Sequence, residues 1–449
     1  MRPCGKAILG LLAVLGLAAC SGPAGSAKER LVLDPTFGHG GVALAADAGV
    51  AGGADFGLAL VRDPDGGLLL AGIACDVADP VCTESHWAAA AWRFLPSGGL
   101  DGGFGRSGLY FANGVAGSDL EAVFGAAAVP GGYLLAGAVQ TQTAPLDLDA
   151  YLWALDPYGR AHPDLLGGTG SADYDGAIVG GGLEFFSTLW VQGESLWLAG
   201  AASRSAGAPD YRVTVWKLDK DGNADASFHP RGVWSSARRE RSWAHALVLD
   251  GEGRPVVVGQ GGDTGQVWRL AAAGGLDPGF GGGRVTLQGA TTIARAVLLD
   301  GERIVVGGLL ETPEGWRAAI WRLNPDGTPD SAFGTQGLAV LPGATQKPTG
   351  YGRWYSAQGL TRDEEGRYLL TGGVKGEGGD LDAAVWRVLP DGREDPNFCQ
   401  GGPCTFDRAG GDDWATALVL GEGGRLFLGG WSTGPDGDAD ATLWGLELR

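Results

Sequence analysis

The sequence predicts an all-β fold, a seven-bladed β-propeller of four-stranded antiparallel blades, on three observations. A unit of roughly sixty residues recurs seven times along the chain. Each unit holds four short apolar runs separated by turn residues, too short and too irregular in period for helices. The two chain ends are complementary: the last unit stops at Leu443 to Arg449, directly after its third run, while the tail it lacks stands near the start as LDPTFGHGGVAL, Leu33 to Leu44. A ring in which Val42 to Ala45 supplies the outer strand of the seventh blade satisfies both ends and leaves no open sheet edge.

Within a unit, the first two runs are joined by a Gly or Asp turn and the second run closes on a glycine. LALVRDPDGGLLLAG ends at Gly72, AAAVPGGYLLAG at Gly137 and STLWVQGESLWLAG at Gly200, and the series continues to Gly259, Gly308, Gly372 and Gly430. Runs joined so tightly form antiparallel meanders. Small residues recur in the first run, at Ala59, Ala246, Ala296, Gly359 and Ala417, as innermost strands crowded around an axis require.

The third and fourth runs flank a second signature, WRLNPDGTPDSAFGTQG from Trp321 to Gly337, with copies starting at Trp92, Trp216, Trp268 and Trp386. The copy at Trp153 is degenerate, with His162 in place of Asp and Leu165 in place of Phe. A tryptophan present once per unit, at 92, 153, 216, 268, 321, 386 and 444, is most economically read as blade-to-blade packing, ahead of stacking on a ligand. Lys or Arg follows it at Arg93, Lys217, Arg269, Arg322 and Arg387, and the repeat acid lies downstream at Asp101, Asp225, Asp277, Asp330 and Asp395. Both change together in the second unit, to Ala154 and His162, which predicts a structural ion pair. Gly445 breaks this rule, because its expected partner Asp34 is retained.

Of 449 residues 83 are glycine, and the net charge is −19. Glycine so far above its average of about 7% suits many tight turns. The acidic balance leaves no basic stripe for a phosphate backbone, which excludes nucleic acid as the expected partner.

At the start, Arg2 and Lys6 precede an apolar run from Ala7 to Leu17 that is too short to span a bilayer. Leu17-Ala18-Ala19-Cys20 resembles the lipobox of bacterial lipoproteins. That resemblance implies a signal peptide over 1–19 and a lipidated Cys20; an ordinary secretory signal is the alternative. Removal of Arg2 and Lys6 with the signal takes the charge from −19 to −21. Residues 20–28 then form a flexible tether and 29–449 the propeller, exported and lipid-anchored to the bacterial cell envelope, periplasmic or at the cell surface, and monomeric. In such an oxidising compartment the two close cysteine pairs, Cys75 with Cys82 and Cys399 with Cys404, predict local disulfides rather than metal ligation.

The glycine-closed pairs of runs, followed by W-x-L-x-x-x-G-x-x-D-x-x-F-G-x-x-G, resemble the delta-60 repeat family of bacterial exported proteins over nearly the whole mature chain. His162, Leu165, Phe228-His229 and Phe398-Cys399 depart from the pattern. The resemblance implies a β-propeller and carries no established activity.

Two acidic turns approach calcium-loop spacing: Asp219, Asp221, Asn223 and Asp225 in DKDGNAD, and Asp436, Asp438 and Asp440 in DGDAD. The first resembles the loops of FG-GAP repeats, but Gly222 interrupts its alternation and turn-capping explains it without a metal. The five histidines assemble no hydrolytic or metal motif, and H-E-x-x-H is absent. Residues just before the innermost strands, Asp55-Phe56, Trp243, Trp354-Tyr355 and Asp413-Trp414, read equally as a ligand or protein-contact surface at the channel mouth and as a cap on the core. The expected function is a binding or scaffolding module for a protein or carbohydrate partner, with no cofactor beyond an open place for calcium. An exported propeller enzyme of the sugar or quinone-cofactor dehydrogenase type, and an envelope-assembly lipoprotein, are the alternatives.

Overall fold

The computed structural model describes residues 28–45, 50–79, 82, 86–114, 120–143, 146–175, 182–203, 210–237, 241–346, 358–408 and 410–449. Cys20, Trp354 and Tyr355 lie outside these residues. Two N-terminal strands, β1 (Leu31–Leu33) and β2 (Val42–Ala45), precede the first blade. Blade 1 comprises β3 (Asp55–Arg62), β4 (Leu68–Cys75), β5 (Trp87–Phe94) and β6 (Leu109–Ala112). Blade 2 holds β7 (Glu121–Val129), β8 (Gly132–Thr143), β9 (Leu146–Leu155) and β10 (Ser171–Tyr174). Blade 3 holds β11 (Glu184–Gln192), β12 (Ser195–Ala202), β13 (Arg212–Asp219) and β14 (Val233–Ser235). Blade 4 holds β15 (Ser242–Leu249), β16 (Pro255–Gly261), β17 (Thr264–Arg269) and β18 (Arg284–Thr286). Blade 5 follows with β19 (Thr292–Asp300), β20 (Arg303–Thr312), β21 (Gly315–Leu323) and β22 (Leu338–Val340). Blade 6 has β23 (Leu360–Arg362), β24 (Tyr368–Lys375), β25 (Leu381–Val388) and β26 (Cys404–Phe406), and blade 7 has β27 (Asp413–Leu420), β28 (Leu426–Thr433) and β29 (Ala439–Leu448). The fold is the predicted seven-bladed propeller.

The glycine that closes each second strand answers a bulge in the first. In six blades the register of the innermost strand slips at one equivalent place, between Gly57 and Ala59, Val123 and Gly125, Phe186 and Thr188, Ala244 and Ala246, Ala294 and Ala296, and Ala415 and Ala417. The extra residue drives a carbonyl against the partner strand. A methyl at Gly72, Gly137, Gly200, Gly259, Gly308 or Gly430 would collide with that carbonyl, from Phe56, Ala122, Phe185, Trp243, Ile293 or Trp414 respectively.

The seven third-strand tryptophans are buried to within 2% of full burial and sit in clusters that draw on two neighbouring blades. Trp321 donates its indole N–H to the Gln288 carbonyl and Trp386 to the Pro342 carbonyl. These residues pack blades, as their once-per-unit recurrence predicts.

The signature around Asp-x-x-Phe is a clip between blades. One oxygen of each repeat Asp accepts the backbone N–H two residues on, from Gly103, Ser227, Gly279, Ala332 and Asn397, at 2.9 to 3.0 Å. The other oxygen meets the cation that follows the Trp. Lys217 lies 2.7 Å from Asp225, Arg269 2.8 Å from Asp277, Arg322 2.9 Å from Asp330 and Arg387 2.8 Å from Asp395, and Arg93 pairs with Asp101. Arg322 and Arg387 also lie over the buried rings of Phe333 and Phe398, 4.5 and 4.4 Å from their centroids. The turn so fixed aims one more N–H outward, that of the residue after Phe, and it donates to the next blade. Gly105 bonds Tyr158 O, Leu166 bonds Lys220 O, His229 bonds Ala273 O, Gly281 bonds Asp326 O and Gly334 bonds Asp391 O, all at 2.8 to 3.0 Å.

His162 keeps this clip in blade 2 without a charge. Its Nδ1 accepts the Asp164 N–H at 3.2 Å, where an Asp oxygen accepts in the other blades, and its Nε2 donates to the Pro130 carbonyl at 3.1 Å. A ring in that arrangement needs no cation, so Ala154 stands where the others carry Arg or Lys. Gly445 is explained differently. A side chain there would strike the Phe37 ring, and Asp34 takes its cation from Arg425, before β28. That second arginine recurs: Arg254 lies 3.3 Å from Asp277 and Arg303 2.9 Å from Asp330.

The N-terminal segment closes the ring more thoroughly than the sequence suggests. β2 pairs antiparallel with β29, as predicted, and β1 extends the same edge from Leu31 opposite Leu448 to Leu33 opposite Leu446. Arg30 and Arg449 exchange both backbone hydrogen bonds at 2.8 Å. Blade 7 has no third-to-fourth-strand loop of its own for blade 6 to clip onto. Glu29 substitutes: its carbonyl accepts from Cys399 N at 3.0 Å and its carboxylate pairs with Arg387 and Arg367. Gly38 N then donates to Ser97 O of blade 1 at 2.7 Å. Residues 29–45 therefore make both junctions of the last blade.

Candidate functional site

The clips occupy one pole of the propeller, where first strands turn into second and third into fourth. The opposite pole collects the connections from second to third strands and from one blade to the next. We call it the loop pole, and most of the perturbed carboxylates of the two poles shift in opposite directions.

At the clip pole acids are compensated. Hydrogen bonds from Lys217 and Ser227 hold the Asp225 carboxyl down at about 2. Asp330 is lowered although burial opposes it, because the Ala332 N–H, Arg322 and Arg303 outweigh that burial. Glu394, raised by burial, is the exception on this side. At the loop pole Asp440 is matched by Arg408 at 2.6 Å, but several other acids are desolvated beside further acids. Burial first, then Asp407 and Asp382, pushes Asp413 up to about 7 although it accepts the Arg408 N–H at 3.0 Å. Burial and the neighbouring Asp147 and Asp175 push Asp149 up to about 6. Asp438 reaches about 6 through burial and its contact with Asp436, and burial with Asp407 and Asp380 raises Asp382. A cavity of about 420 Å³ beside blade 6 is lined by Glu377, Asp380, Asp382, Asp407, Gly378 and Gly410, so four carboxylates face one space.

The residues singled out before the innermost strands divide on inspection. Asp55 and Asp413 begin β3 and β27 and are buried, and Glu121 and Glu184 hold the same position in β7 and β11. Where this position carries a hydroxyl it ties blades together: Ser242 Oγ accepts from Val213 N at 3.2 Å and Thr292 Oγ1 from Gly265 N at 2.8 Å. Trp414 is only 3% exposed and lies against Gly373 of blade 6. Phe56 is tilted against Trp87 and edge-on to Trp431, with centroids 5.7 and 5.3 Å away. Trp243 donates to His245 Nε2 at 2.9 Å. These described aromatics are packing groups of the loop pole and do not form an exposed rim.

His245 and Arg295 are bulge residues of β15 and β19, and one Arg295 nitrogen lies 3.3 Å from the His245 ring nitrogens. Burial, then the neighbouring guanidinium, holds His245 well below its usual range, in keeping with Nε2 acting as an acceptor. Thr416, the bulge residue of β27, bonds Gly57 O of blade 1 at 2.8 Å. Single-residue bulges were not legible in the sequence, because the signal is one extra residue in a run of irregular length.

The DKDGNAD turn is self-contained. Asp219 Oδ1 accepts the N–H groups of Asp221 and Asn223 at 2.9 and 2.8 Å, Asp221 pairs with Lys220 and Asp225 with Lys217. Its oxygens serve the turn and the clip and do not converge. Among the described residues, one group of three metal-capable side chains does converge: Asp149, Asp175 and Glu184. Both cysteine pairs form disulfides, Cys75 with Cys82 and Cys399 with Cys404, with Cα atoms 5.8 and 5.5 Å apart.

A family model described as a domain of unknown function (DUF5122) beta-propeller matches residues 302–333, the span from the β19–β20 turn to the clip phenylalanine of blade 5. No curated protein sequence matches the chain. Among solved structures, a protein of unknown function from Dyadobacter fermentans is similar at 11% identity and a TM-score of 0.46, over 91% of this chain and 98% of its own. The β-propeller domain of the Trilobed protease from Pyrococcus furiosus is similar at 8% identity and a TM-score of 0.37, over 70% and 79%. A glucose dehydrogenase is similar at 14% identity and 0.38, over 72% and 96%.

Proposed function

We propose that this protein is an exported, lipid-anchored binding module of the delta-60 repeat type, held through Cys20 to the cell envelope, whose loop pole engages a cationic segment of a protein partner. The observation that supports it is the division between the poles. Acids at the clip pole are matched with Arg or Lys, while Asp382, Asp407, Asp380 and Glu377 share a cavity and Asp382 is held above its usual range by burial and like charge. A site that crowds carboxylates gains most from a ligand that brings positive charge.

Titration of the signal-free chain with a lysine-rich peptide, and with an acidic peptide of equal length, tests the reading. Binding of the basic peptide alone, weakened by salt and reduced about tenfold by joint Asp382→Asn and Asp407→Asn replacement, is expected. Equal binding of the acidic peptide, or no effect of the paired replacement, would refute it.

A further inference from the structure

We infer that Asp149, Asp175 and Glu184 form a divalent-cation site of the calcium class at the junction of blades 2 and 3. The inference does not depend on the binding-module reading, since a propeller of any function can carry a metal tie between blades.

The site is assembled from three parts of the fold. Asp149 projects from the first half of β9, Asp175 directly follows β10 and Glu184 begins β11. The chain passes from blade 2 to blade 3 here, and Leu148 and Leu183 form a parallel bridge that draws the start of β9 against the start of β11. One carboxylate oxygen from each of the three residues lies within 4.8 Å of the others. Ligands around a shared calcium ion, at 2.3 to 2.6 Å from it, can be about 4.6 to 5.2 Å apart at most, whereas those around magnesium, at about 2.0 to 2.1 Å, reach only about 4.2 Å. Separations no greater than 4.8 Å bring the three oxygens around one calcium ion with at most a small inward shift of the carboxylates. An all-carboxylate donor set, with neither imidazole nor thiolate, also selects a hard cation.

A second observation comes from Asp147, outside the triad. Asp147 and Asp149 are each 94% buried, taking their 6% exposures from the whole, and the Oδ1 atom of each has no hydrogen-bond partner. Both side chains leave β9 on the same face, two residues apart. Asp147 is close enough to feel the charge of Asp175, and Asp149 that of Asp147. Four acids are thus gathered with two buried acceptor oxygens unused. Buried carboxylate oxygens are ordinarily satisfied, and the unused ones on Asp147 and Asp149 oppose folding. A bound cation supplies what both need: Asp147 can accept from a water on the ion while the triad coordinates it directly.

Chelator-treated, signal-free protein is titrated with calcium chloride by calorimetry, and its thermal midpoint is followed in parallel. One ion per chain and a rise of about 3 °C or more at hundredfold excess over Kd are expected. Both effects should vanish in Asp149→Asn and in Glu184→Gln and persist in Asp219→Asn, whose turn is self-contained. Circular dichroism confirms that each variant is folded; if Asp149→Asn fails to fold, Asp147→Asn should weaken binding about tenfold or more. Absence of calcium binding by the wild-type chain, or full binding by folded Asp149→Asn, would overturn the site.

Discussion

Asp413 shows how a single side chain can set a pH response. Its carboxyl titrates at about 7 in the folded protein, chiefly through burial and then through Asp407 and Asp382, against about 3.9 when unfolded. Between those values the folded state keeps a proton that the unfolded state has released, so this group's contribution is fully present below about pH 4 and is lost as the pH rises through about 7. Asp149 and Asp438, raised to about 6, act in the same direction. The thermal midpoint should therefore fall between about pH 5 and about pH 8, and Asp413→Asn should remove part of that slope. A midpoint profile unchanged by the substitution would show that the group is not buried as described. The sequence singled out Asp413 by its place before an innermost strand, but its titration was not readable there. Its environment is made by the packing of blade 6 against blade 7.

At the scale of the element, the clip turns of blades 1, 5 and 7 differ from those of blades 2 and 3, and the difference explains why Leu166 and His229 stand where the repeat has glycine. In blades 1, 5 and 7 the residue after Phe is Gly105, Gly334 or Gly38, with φ between 49° and 53°. There the carbonyl of Leu109, Leu338 or Val42 occupies the place a Cβ would take. In blades 2 and 3 a 3-10 turn lies alongside, at Leu166–Gly168 and Pro230–Gly232, and Leu166 and His229 adopt φ of 50° and 54° with side chains. Gly334→Ala should therefore cost about 2 kcal/mol or more through a collision added to the left-handed backbone, whereas His229→Gly should stay within about 1 kcal/mol of neutral. Equilibrium unfolding of the two variants checks the contrast, and equal losses would contradict it. The Asp and Arg of the clip were legible because Ala154 and His162 changed together. Arg303 and Arg425 were not, because a lone arginine in a polar turn resembles any solvated charge until the fold brings it to Asp330 or Asp34.

The whole molecule is a ring joined by seven clips, two of which belong to residues 29–45. Deleting residues 28–45 would strip β29 of its outer neighbours and remove the Glu29 and Gly38 junctions together. The truncated chain should unfold at a midpoint lowered by about 10 °C or more and self-associate through the exposed strand edge, which sizing chromatography and thermal melting would reveal. An unshifted monomer would mean that the ring holds without its clasp. The closure was legible because the Asp34 to Gly38 fragment lacks a third strand before it, but β1 was not, since three residues of Leu-Val-Leu carry no pattern of their own. The seam also dictates an order of events. Leu31 cannot find Leu448 until the chain has been made as far as Leu448, so a segment made before the first blade is used only after the seventh. Throughout synthesis the nascent chain must carry its finishing piece unspent, and a stalled or shortened product can never lock.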